Sequence, residues 1–178
     1  MTMERLQGRW MPLLAGGFAL GVLVTGGSNY AWHETGTNEF CIACHANDAA
    51  KEWRESVHYG NPAGVAAGCA DCHLPRAFVP RLLRKAKGAT VEVWAHFAGT
   101  IATPGKYEAR RRAMAETEWR RLRADGAQEC RDCHRPEAMV DKDKREVGAM
   151  HAAAVAGGQI CTDCHQGVAH VAPSAAYK

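Results

Sequence analysis

Four short runs share one pattern: Cys41-Ile42-Ala43-Cys44-His45, Cys69-Ala70-Asp71-Cys72-His73, Cys130-Arg131-Asp132-Cys133-His134 and Cys161-Thr162-Asp163-Cys164-His165. They use all eight cysteines of the chain. C-x-x-C-H is the attachment signature of c-type haem, in which two thiols bond the porphyrin and the adjacent imidazole reaches the iron. Paired C-x-x-C units also occur in zinc ribbons and thioredoxin-like redox sites. Neither of those needs a histidine directly after each pair, so the pattern predicts four covalent haems. Cys41, Cys44, Cys69, Cys72, Cys130, Cys133, Cys161 and Cys164 would attach them, and His45, His73, His134 and His165 would be their first axial ligands.

That prediction limits the fold. Spread over four motifs, 178 residues leave about 45 per haem, too few for an ordinary apolar core around each. The expected class is mostly α, a small multihaem cytochrome with little regular sheet, in which the haems supply most of the core. Covalent haem attachment also puts the motifs in an oxidising compartment outside the cytoplasmic membrane. A net charge of +3 is too small to suggest nucleic acid as a partner.

Residues 10–32 contain no charged side chain. Eighteen to twenty-three helical residues span roughly 27–34 Å, enough for a bilayer core of about 30 Å. Trp10 lies at one end of the stretch, and Tyr30 and Trp32 at the other, as in interfacial aromatic belts. Arg5 and Arg9 before the span put the N-terminus inside the cell and the motifs on the periplasmic side. The expected layout is a cytoplasmic segment 1–9, a transmembrane anchor 10–32 and a periplasmic domain 33–178. A cleaved signal peptide is the competing reading, but Asn29 at −3 suits cleavage after Ala31 poorly. Gly17 and Gly21 form a small-residue pair through which a homodimer could pack.

Further along, Asn47 or Asp48 would cap a short helix through Trp53 toward His58, broken by Gly60-Asn61-Pro62-Ala63-Gly64. Residues 76–88 interleave Arg76, Arg81, Arg84, Lys85 and Lys87 with Phe78, Val79, Leu82 and Leu83. That mixture suits either a helix on a membrane surface or a solvated basic helix over a haem. Thr103-Pro104 opens a helix to about Asp125, ending at Gly126. Its apolar stripe is Tyr107, Met114, Ala115, Trp119 and Leu122. The arginines at 110–112, 120, 121 and 123 cover its other faces, mostly solvated, with Arg120 and Arg121 a candidate docking face. A last helix is expected from Pro136 to about Val155.

The motifs fall into two pairs starting 28 and 31 residues apart, read as a duplicated two-haem unit over about 38–75 and 127–170. His58 precedes Cys69 by eleven residues and His151 precedes Cys161 by ten. This parallel makes His58 and His151 candidate second axial ligands, with His170 as a third. His33 and His96 have no counterpart in the repeat and read as packed or surface residues.

The run F-C-I-A-C-H, V-H-Y-G-N leading to C-A-D-C-H-L-P, V-W, G-T-I-A-T-P-G-K-Y-E-A-R-R, E-C-R-D-C-H, A-M-H and C-T-D-C-H-Q-G-V-A-H resembles the NapC/NirT family of membrane-anchored tetrahaem cytochromes. The resemblance implies oxidation of quinol from the membrane pool. It also implies electron relay to a periplasmic reductase or its cytochrome subunit, as in nitrate or nitrite respiration. It places His58, His151 and His170 at the family's distal-ligand positions. Asp71 matches an acidic residue of the quinol site and would act there as a base, or otherwise as a helix or turn cap like Asp132 and Asp163. Relatives carry a Met shortly after the first motif, where this chain has Asn47 and Asp48, and a basic residue where it has Ala66. The other ligand of the first haem is therefore open among Asp71, His33, His96 and none. The competing functions are a multihaem enzyme acting on a small nitrogen compound and a simple periplasmic carrier.

Overall fold

The computed structural model describes residues 3–45, 48–139 and 145–173. Among these the chain forms helices and turns with no strand, the mostly α class expected. Helix α1 (Met3–Glu34) is one continuous rod, and its stretch Trp10–Glu34 is long and apolar enough to cross a membrane. No residue of that stretch is buried, Trp32 alone being half-covered.

Each motif lies in, or opens, its own short helical segment. Helix α2 (Asn38–His45) carries the first, and α3 (Asp48–Glu55) follows it. Asn47 lies outside the described residues, and Asp48 is the first helical residue. The helix ends before His58, shorter than the sequence suggested. Helix α4 (Cys69–His73) is the second motif, and α7 (Gln128–Arg131) leads into the third. The fourth is a single tight turn at Cys161–Asp163. Between them run two longer helices, α5 (Phe78–Phe97) and α6 (Pro104–Ala124). In place of one helix from Pro136 to Val155 there are two pieces, a turn at Pro136–Ala138 and α8 (Arg145–Ala156).

Helix α6 begins as its sequence dictates. The Thr103 hydroxyl accepts from the Lys106 amide and Pro104 stands first in the helix, supplying one acceptor and a preset φ. Its end is a left-handed pair, Gly126 (φ +70) and Ala127 (φ +56), which turns the chain into α7. Glycine adopts this conformation freely, whereas an alanine in it is strained. Ala127 is fully buried, so packing holds it there.

Among the described residues only Ala50, Trp53, Tyr107 and Ala127 are buried apolar side chains. The helices are held instead by polar links. Arg111, expected to be solvated, is buried and ties α6 to Glu52 of α3 at 2.6 Å and to the Val171 carbonyl at 3.0 Å. Arg84 of α5 meets Glu118 of α6 at 2.7 Å. Helix α2 packs on α4, and α4 on α7.

Candidate functional site

The loop between α3 and α4 sets the position of His58. Trp53 is buried and donates from its indole to the Ala67 carbonyl at 2.9 Å. The Ala67 amide in turn donates to the His58 carbonyl at 2.7 Å. Asn61 folds the loop tip by accepting from the Ala63 amide, an Asx turn. The His58 ring, thus presented, stands 6.1 Å centre to centre from His134 of the third motif.

Two further pairs have the same spacing. His73 of the second motif faces His170 at 6.2 Å, and His165 of the fourth faces His151 at 6.1 Å with parallel rings. An imidazole nitrogen sits about 2.0–2.1 Å from a bound metal, so two imidazoles sharing one ion have centres about 6 Å apart.

Each outer nitrogen has an oxygen nearby, within hydrogen-bond reach at His58 and His151 only. His58 Nδ1 lies 3.1 Å from the Val168 carbonyl and His151 Nδ1 lies 2.8 Å from the Val147 carbonyl. His73 Nδ1 faces Glu118 at 3.6 Å and His170 Nδ1 faces Glu52 at 3.8 Å. At His58 and His151 the backbone acceptor fixes the tautomer and leaves Nε2 free to ligate. Burial pushes Glu118 up, but His73, Arg121 and Arg84 outweigh it and hold the carboxyl at about 2.

His45 differs from the other three motif histidines. Its Nε2 lies 3.9 Å from a carboxylate, that of Glu92 of α5. Metal–nitrogen and metal–carboxylate distances of about 2 Å each would fill that gap. Glu92 is oriented by Arg84 at 3.0 Å. The pull of Glu92 raises His45 above its ordinary pKa, and His45 and Arg84 lower Glu92 against the opposing effect of burial. Glu92 was missed in the sequence because it lies 47 positions from His45 on a helix of basic and apolar character. A carboxylate isolated among those residues was its only signal.

Asp71 does not take that place. Its carboxylate accepts from the Gly68 amide at 2.8 Å and so caps α4, as Asp163 does for the fourth motif from the Ile160 amide at 3.0 Å. Asp132 pairs with Arg76 at 2.9 Å. His33 closes α1 and His96 lies against Phe97 near the end of α5.

All eight cysteines are free thiols. Those of Cys41 and Cys69 touch, as do those of Cys130 and Cys161. Arg76 reaches from the second motif to Asp132 and to Cys133 Sγ in the third. The motifs therefore follow one another in space in chain order. Among the described residues no three of His, Cys, Asp and Glu converge as a structural zinc would need. Free thiol pairs and facing imidazoles fit haem.

The family model described as "NapC/NirT cytochrome c family, N-terminal region" matches residues 3–175. The chain is 46% identical to the cytochrome c-type protein NapC of Escherichia coli strain K12 over 90% of its length and 82% of that protein's. It is 40% identical to the denitrification system component NirT of Stutzerimonas stutzeri, covering 90% and 81% of the two chains. To a putative tetraheme cytochrome-c type protein of Allochromatium vinosum it is 42% identical over 88% and 89%. No solved structure matches. A haem-binding electron-transfer protein, the chain belongs to the NapC/NirT cytochrome c family.

Proposed function

We propose that this protein is a membrane-anchored tetrahaem cytochrome that oxidises quinol and relays electrons to a periplasmic reductase. The observation that carries it is the contrast between the motif histidines. Three face a second imidazole at 6.1–6.2 Å, and the first faces a carboxylate.

Cys41/Cys44, Cys69/Cys72, Cys130/Cys133 and Cys161/Cys164 would hold the four haems. His134 would pair with His58, His73 with His170 and His165 with His151, closing those irons to substrate. When bound, the haems supply one-electron carriers. The protein orders them by placing each motif against the next.

The first motif is where this chain can do chemistry. Lys85 donates at 2.6 Å to the Trp32 carbonyl and at 2.7 Å to the Thr35 hydroxyl, so α5 meets the outer end of α1 beside His45. A quinol arriving from the bilayer releases two protons along with two electrons. Glu92, kept ionised by His45 and Arg84, is placed there to accept a proton, a role in place of ligating the iron. Asp71 is the other candidate base, although one of its oxygens is committed to the α4 cap. The basic residues at the start of the chain put the haem domain on the periplasmic side. The reductase or its cytochrome subunit would then dock beyond the fourth motif.

The test is reduction by ubiquinol and menaquinol analogues of the haem-loaded protein in lipid, followed at the haem bands. Glu92→Gln is expected to slow reduction by quinol and leave reduction by dithionite unchanged, with Asp71→Asn having the smaller effect. Substituting His58, His170 or His151 by Ala should each turn one haem high-spin. A wild-type protein that dithionite reduces and neither quinol does would overturn the quinol reading. It would leave a relay fed by another protein.

A further inference from the structure

Helix α5 is turned inside out for a soluble helix. Its polar side chains face the protein: Arg84 reaches Glu118, Lys85 reaches the end of α1, and Glu92 reaches His45. Leu82, Leu83, Val93, Trp94 and Phe97 are all exposed. With Val79, Ala86 and Thr90 they recur at spacings of three and four along nearly the whole helix, forming one continuous stripe. Trp94 is 75% and Phe97 78% exposed. Leu83 and Glu92 project from opposite sides of the helix, so a haem beside Glu92 cannot also cover the stripe at Leu83.

We infer that the stripe lies in the surface of the lipid bilayer, making α5 a second, in-plane membrane element. Three observations favour lipid as the occupant. The stripe begins where the apolar span of α1 ends: Phe78 stacks on Trp32 at 5.0 Å and Lys85 caps the Trp32 carbonyl. Its far half ends in two large aromatic residues, the composition of an interfacial anchor. Lys87 stands exposed beside the stripe, placed to meet anionic headgroups.

The proposal rests on reading α1 as a membrane span, and gives that reading a consequence. With α5 laid on the bilayer, Glu92 and His45 sit just above the headgroups. A quinol ring can then reach them while its tail stays in lipid.

The experiment places a photoreactive benzoylphenylalanine at Leu83, Trp94 and Phe97 in turn. Phe18 in α1 serves as the control for insertion, and exposed Arg110 of α6 as the control for solvent. The full-length haem-loaded protein is irradiated in vesicles of phosphatidylethanolamine and phosphatidylglycerol, and adducts are identified by mass. Lipid adducts are expected at Leu83, Trp94 and Phe97 as at Phe18, and none at Arg110. Adducts at Phe18 alone overturn the proposal and leave the anchor standing. Chain-to-chain adducts along α5 overturn it in favour of a second copy. Failure at Phe18 as well overturns both the span and the surface helix.

Discussion

Arg111 shows what the arginines of α6 do in this protein. Its guanidinium makes two contacts to Glu52, at 2.6 and 2.9 Å, and a third to Glu108 at 2.6 Å, with its side chain about 10% exposed. Glu52 also accepts from the Val171 amide at 3.0 Å, fixing the residue after His170. Breaking a buried pair leaves an unpaired charge, at a cost of about 3–5 kcal/mol. Arg111→Ala should lower the denaturant midpoint accordingly and loosen the facing of His170 on His73. Arg121 is equally occupied, bonding Glu118, Glu129 at 2.6 Å and the Cys72 carbonyl at 2.8 Å. It is therefore not part of a docking face, as the sequence had suggested. Arg121→Glu should disturb the haem spectrum. Arg120→Glu, at an exposed site, should leave the spectrum intact and slow transfer to an acidic partner at low salt. Unchanged transfer would count against that face.

At the scale of elements, α6 follows its sequence closely. Thr103→Ala removes its capping oxygen and should destabilise the protein by about 1 kcal/mol, measured by denaturant titration. The turn after it was legible at Gly126, where glycine tolerates positive φ, but not at Ala127, whose conformation is imposed by packing. The composition of residues 76–88 left a surface helix and a solvated one equally open. The choice depends on where the charges point, and side-chain pairing between α5 and α6 decides that.

Among the described residues, ion pairs outnumber buried apolar side chains, which predicts acid sensitivity. Glu118 is held at about 2 and Glu52 is also lowered, with Arg111 and the Val171 amide outweighing its burial. A carboxylate with a depressed folded pKa contributes stability above its unfolded value near 4 and loses it as pH falls toward the folded one. Unfolding midpoints should thus hold above about pH 5 and decline steadily toward pH 2. A flat profile over that range would show that these pairs carry little stability. The sequence alone determined the eight thiols, the four adjacent imidazoles and the long apolar helix, because attachment spacing and hydrophobic length are local properties of a chain. It also pointed to His58, His151 and His170. Which histidine faces which motif was decided only by the tertiary structure. The repeat put His58 and His151 in matching positions, yet His151 faces its own half at His165 while His58 crosses to His134 and His170 returns to His73. Those partners lie 76 and 97 positions apart, and Glu92 meets His45 only because α5 folds back beside the first motif. Contacts at such separations depend on how the helices pack, which no local pattern encodes.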